Sequence, residues 1–251
     1  MLKKTVPFII AAALAVSLTA CSADYSGVEG YNEIENARKL YSGLFSAHLT
    51  ITDCENNMLT QELTFMYDTQ DRLMYSYYGT DGSTQYFEYH NGFEYSYTDG
   101  DEWKTVTEGG ENYHSYSKSA KMSMTDAGMI FIKPESIISS SVTQDGENKI
   151  IKTQYDAAAL NSSMSSQLGL VGSLKSFEVI YTLDKDGYCV TMEQIGTAEQ
   201  DGKESKVDYL LKIDKMNDVA EITRPDIEKY KLDTENKADN ADDTSLQSES
   251  E

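Results

Sequence analysis

Histidine, proline and tryptophan are scarce in this chain of 251 residues, with three, three and one of each. His48, His90 and His114 lie far apart and form no H-x-H or H-E-x-x-H pattern, so zinc coordination has no motif to rest on. There is no G-x-S-x-G. Ser115-Tyr116-Ser117-Lys118 matches S-x-x-K, but Lys104-Thr105 continues to Val106 instead of completing K-T-G, and no S-D-N is found, which leaves the match to chance. Asp184-Lys185-Asp186-Gly187 opens like a calcium loop without its later acidic ligands, and Tyr188 and Val190 return at once to strand alternation; a hairpin turn is the reading. Positive charge is also short, at 21 Lys and Arg against 42 Asp and Glu. Nucleic-acid binding rests on cations that neutralise phosphates, so that class of partner is excluded. No residue set marks a catalytic centre, a metal site or a cofactor site, and the chain reads as non-enzymatic.

Long apolar runs are missing as well, except near the start. Val6–Leu18 spans 13 residues and includes Pro7. As a helix it reaches about 20 Å, short of the roughly 30 Å of a bilayer core. Lys3 and Lys4 precede it and Leu18-Thr19-Ala20-Cys21 follows, the layout of an export signal over residues 1–20. The segment resembles a bacterial lipoprotein signal peptide with LTAC as its lipobox. The resemblance implies cleavage before Cys21 and a diacylglycerol on its sulfur, and two acyl chains are enough for stable anchoring. Residues 21–30 then form a lipidated tether that reaches at most about 30 Å. Loss of the two lysines leaves 19 basic and 42 acidic residues, a net charge of −23. Attachment therefore comes from the lipid, not from attraction to anionic headgroups. The expected location is the outer face of the cell membrane, and low arginine with abundant tyrosine suits a Gram-positive source.

Cys54 and Cys189 are the remaining cysteines. In an exported protein such a pair forms a disulfide or stays as two thiols; no spacing motif chooses between them.

Helical spacing in YNEIENARKLYS, closed by Gly43, predicts an amphipathic helix over 31–42. The period then becomes two. Phe45, Ala47, Leu49 and Ile51 begin it, followed by Leu59 to Tyr67, Leu73 to Tyr77, Phe87 and Tyr89, Phe93 to Tyr97, and Trp103. Asp81-Gly82, Asn91-Gly92 and Asp99-Gly100 mark hairpin turns. Pro134 suits the first position of a short helix through Ile138. A strand is expected over Lys149–Gln154, and a helix capped by Asp156 carries Ala157, Leu160, Met164 and Leu168. Alternation resumes at Phe177–Leu183, Tyr188–Met192 and Val207–Ile213, with a last strand over Val219–Thr223. Residues 231–251 lack the apolar content to fold and read as a disordered acidic tail.

This is an α+β chain, with one-faced strands that need helices to cover them. YNEIENARKLYSGLFSAHLTI, the DG-linked strands and the closing DYLLKIDKMNDVAEITRPD resemble the lipoprotein-localisation fold of LolA, LolB and the LppX-type lipoproteins. Over residues 31–230 the resemblance implies a curved antiparallel sheet, an open half-barrel with helices in its mouth, and a closing hairpin. Phe65, Tyr75, Tyr77, Phe93, Tyr95, Tyr97 and Trp103 are expected on one face. They are either sheet core with cross-strand ladders or a concave wall for an acyl chain or other amphipathic ligand. Met122, Met124 and Met164, with Met129 and Leu168, form a lid over that wall or fill ordinary core gaps. The expected partners are the membrane, an apolar ligand and an envelope protein. The two functional readings are a ligand-binding lipoprotein, and a structural or sensory one with a filled core that acts through protein contacts.

Overall fold

The computed structural model describes residues 27–80, 84–100, 102–107, 136–164, 173–228 and 230. Helix α1 covers Tyr31–Ser42 and is followed by β1 Ser46–Asp53, β2 Met58–Tyr67, β3 Leu73–Thr80, β4 Gln85–Asn91, β5 Glu94–Asp99 and β6 Glu102–Thr107. The second half holds β7 Ile137–Asp145, β8 Asn148–Tyr155, helix α2 Ala157–Met164, β9 Ser173–Leu183, β10 Cys189–Gln200 and β11 Lys203–Asp214. All eleven strands form one antiparallel sheet in the order β6-β5-β4-β3-β2-β1-β11-β10-β9-β8-β7. It consists of two meanders joined where β1 pairs with β11. Among the described residues the sheet is open, with β6 and β7 as its outer strands.

Turn chemistry explains the meanders. Asp201 and Gly202 both take positive φ, 52° and 73°, as a two-residue hairpin turn requires. At the β9–β10 turn Asp184 Oδ1 accepts the backbone N–H of Asp186 and of Tyr188, both at 2.9 Å, and so closes the hairpin expected there.

One face of the sheet, the inner face, carries the core. Leu49, Phe65, Tyr75, Ile151, Phe177, Val179, Tyr181, Met192, Leu211 and Ile213 are all buried there. Ala37 and Tyr41 of α1 and Leu160 of α2 join them. Asp156 caps α2 as expected, accepting the N–H of Ala158 at 2.9 Å and of Ala159 at 3.2 Å. Bulges interrupt β2 at Thr60, β10 at Val190, β9 at Lys175 and β7 at Ile138, and each adds local twist. Before α1 the chain is fastened to β7. Ser140 Oγ donates to the Glu29 carbonyl at 2.7 Å, and the Val142 N–H donates to Glu29 Oε1 at 3.2 Å.

Three expectations are corrected, and the open alternative for the cysteines is decided. Ile137 and Ile138 belong to strand β7, not to a helix that starts at Pro134. IISSSVT is rich in β-branched residues and pairs along its length with β8. Val219–Thr223 forms no strand, and the closing segment is no hairpin. β11 already lies between β1 and β10 and has no free edge to offer. Residues 215–230 instead cross the opposite, outer face of the sheet as a strap. Cys54 and Cys189 are both free, one exposed and one buried. The Cys54 N–H bonds the carbonyl of Asp208, which lies opposite Ile195, and Cys189 is six residues further along β10. That is about 20 Å of strand, whereas a disulfide requires Cα atoms within about 7 Å. Phe93 and Trp103, finally, leave the inner face, for reasons given by their turns and register below.

Candidate ligand-binding face

Strand register arranges the inner face of β2–β5 in two cross-strand rows. The first runs Phe65, Tyr75, His90, Tyr95; the second runs Leu63, Tyr77, Glu88, Tyr97. A carboxyl group thus sits among four phenols. Tyr75 donates its hydroxyl to Glu88 Oε2 at 3.1 Å, and Tyr95 also hydrogen-bonds this carboxyl. Burial raises the Glu88 pKa above the usual carboxylate range, against the pull of these two hydrogen bonds. Tyr95 and Tyr97 stack with centroids 5.7 Å apart. His90 lies parallel to Tyr75, at 5.8 Å, with its Nδ1 2.8 Å from the Leu73 carbonyl. Burial lowers the His90 pKa, so the ring is neutral at pH 7.

Tyr77 differs from its neighbours. Its hydroxyl is buried and has no hydrogen-bond partner among the described residues. Its ring lies over Gly79, two residues on, where any Cβ would collide with it. Burial pushes the Tyr75 and Tyr77 phenols well up, so at neutral pH they remain protonated hydrogen-bond donors. Phe65, Tyr75 and Tyr95 are themselves buried in the core, so the wall of rings, phenols and one carboxyl is packed in this structure.

Phe65, Tyr75, Tyr77, Tyr95 and Tyr97 therefore share a face as expected. Phe93 does not. It is used up in the β4–β5 turn, where Asn91 Oδ1 accepts the N–H groups of Phe93 and Glu94; its ring is 48 % exposed, 4.0 Å from the Arg72 guanidinium. Trp103 pairs with Thr98, one residue out of step with Tyr97, and so faces outward. Cys21, Met122 and Met124 lie outside the described residues. Met164 ends α2. Glu88 and His90 were not picked out from the sequence, because on β4 the alternate residues Phe87 and Tyr89 look like the apolar face.

Those two rings lie on the outer face under the strap. Tyr230 stacks on Tyr78 at 4.1 Å, meets Phe87 edge-on at 5.5 Å, and donates its hydroxyl to Glu62 Oε2 at 2.6 Å. Arg224 lies over Trp103 at 4.9 Å and Tyr89 at 5.5 Å, with Nη2 3.3 Å from Ser96 Oγ. Beside them His48 places Nε2 2.9 Å from Glu62 Oε1 and Nδ1 2.8 Å from Asp214 Oδ1. Among the described residues no cluster of three or more His, Cys, Asp or Glu could hold a metal. No described helix is long and apolar enough to cross a membrane.

No family model matches the chain, and no curated protein matches it. Among solved structures it is similar to the crystal structure of LprF from Mycobacterium bovis, at 13 % sequence identity and a TM-score of 0.41, over 78 % of this chain and 95 % of that one.

Proposed function

We propose that this chain is a membrane-anchored, non-enzymatic cell-envelope lipoprotein that binds a hydrophobic or amphipathic ligand on the inner face of its sheet, the concave side of a curved half-barrel. The observation that carries the reading is the buried, unpartnered hydroxyl of Tyr77 within an otherwise hydrogen-bonded aromatic wall. An unmet buried donor costs about 1–3 kcal/mol, and a ligand that displaces the packing over Tyr77 and brings an acceptor removes that cost. The rings of Phe65, Tyr75, Tyr95 and Tyr97 supply apolar contact, where each buried methylene contributes about 0.8 kcal/mol. Anchoring through Cys21 holds this face near the bilayer that supplies such ligands.

The test is native mass spectrometry of the protein lacking its lipid anchor, together with titration by a fluorescent fatty acid. A co-purified lipid or saturable uptake is expected, and uptake weakens in Tyr77→Phe. Finding neither lipid nor uptake overturns the reading. A second reading, contact with another envelope protein through a sheet edge, draws on the outer strand β7, where Ile138 is 68 % exposed. It predicts saturable binding of one envelope protein that a charged residue at Ile138 abolishes.

A further inference from the structure

We propose that residues 215–230 are a pH-gated strap, latched across the outer face when His48 is protonated and loosened when it is neutral. The strap has two ends, and His48 touches the holder of each. Asp214 is the last residue of β11, immediately before the strap leaves the sheet. Glu62, on β2, holds Tyr230 at the far end through Oε2 and offers Oε1 to His48. One imidazole thus bridges the start and the finish of a 16-residue segment.

The requirement for charge follows from the donor count. Ionised carboxylates only accept hydrogen bonds, and a neutral imidazole carries one N–H. Both ring nitrogens of His48 face carboxylate oxygens, at 2.8 and 2.9 Å, so both contacts hold together only in the imidazolium. On deprotonation one carboxylate faces a lone pair, and Glu62 and Asp214 repel each other without a cation between them. A Glu62 that turns away takes the Tyr230 acceptor with it.

The surroundings agree. On β1 the flanking residues of this face, Ser46 and Thr50, are uncharged. β2 contributes Glu62 beside Thr64, and β11 contributes Asp214 with Lys212 two residues back. The strap contributes Tyr230, with Asp226 acting on it electrostatically. The His48 pKa is raised above the ordinary 6.5, chiefly by the hydrogen bond with Glu62 and also by Asp214, against desolvation. With the folded value raised, the latch is complete below pH 6.5 and is lost as pH rises through the folded pKa.

Between its ends the strap is pinned by Asn217, which accepts the Phe45 N–H at 2.7 Å and donates its own N–H to the Ser46 carbonyl at 2.7 Å, and by Arg224 over Trp103. Trp103 is the only tryptophan in the chain, so its fluorescence reports on the strap directly. Its emission and the hydrogen exchange of residues 215–230, corrected for intrinsic pH dependence, would be followed from pH 5 to 9. Both are expected to change together through one transition above pH 6.5, and His48→Gln should flatten both curves. Asp214→Asn removes one of the two carboxylates that hold the proton and should move the midpoint to lower pH; this arm stands even if His48→Gln does not fold. A flat wild-type profile, an unchanged transition in His48→Gln or an unmoved midpoint in Asp214→Asn overturns the proposal.

Discussion

Tyr77 and Gly79 are matched to each other on β3. The ring occupies the volume that a side chain at position 79 would need. Gly79→Ala should therefore force the ring off its position and cost about 1–3 kcal/mol, the usual penalty for overpacking, measured by urea denaturation. Glu88 gives a second prediction. Its pKa is raised in the folded state, so the folded protein binds the proton more tightly than the unfolded chain does. Its contribution is complete below the ordinary carboxylate pKa of 4.5 and is lost as pH rises through the raised value. Thermal midpoints from pH 4 to 7 should fall across that window, and Glu88→Gln should remove this part of the fall. At this scale period-two alternation revealed Phe65, Tyr75, Tyr77, Tyr95 and Tyr97. It did not reveal Glu88 and His90, because β4 carries large side chains on both faces. Parity separates two faces without saying which one is inner.

Among the elements, α2 shows a local signal that sufficed. Asp156 precedes a short helical run and caps it. Asp156→Ala should cost about 0.5–2 kcal/mol, read from the urea midpoint, with its effect on circular dichroism confined to the loss of one short helix. Strand β7 shows a local signal that misled. Pro134 lies outside the described residues, but the helix expected to run from it through Ile138 does not reach that far, because Ile137 and Ile138 belong to β7, which pairs with β8. The strap shows a third case. Val219–Thr223 has strand-like alternation, but whether it can join a sheet depends on whether β11 has a free edge. That is decided by β1, more than 150 residues earlier in the chain, and no local pattern carries it. Phe93 and Trp103 were misplaced for a related reason, since turn length sets parity on the strand that follows.

For the molecule as a whole, antiparallel meanders with helices as their cover were legible, because they follow from turns and alternation that recur along the chain; the open form of the sheet was an expectation of the resemblance alone. The fate of the cysteines was not, because it depends on which ends of the sheet they occupy. Cys54 is exposed, while burial pushes the Cys189 thiol up to about 12. In native protein prepared without Cys21, one iodoacetamide adduct is expected at pH 8, at Cys54. Cys189 should react only after unfolding, and reductant should change neither result; mass spectrometry with and without denaturant checks both.

The pairing of β1 with β11 bears on how the chain becomes folded. The residue pair His48 and Asp214, joined across that ladder, are 166 positions apart. Each meander can form from neighbouring segments, but the seam between them waits for nearly the last strand to arrive. Contacts of such separation slow folding because loop closure comes before any reward. During synthesis, β1 would emerge early with one edge unpaired, a template for association with other chains until β11 covers it. The first strand of the sheet is thus the one exposed longest, and prompt arrival of residues 203–214 guards the chain against aggregation.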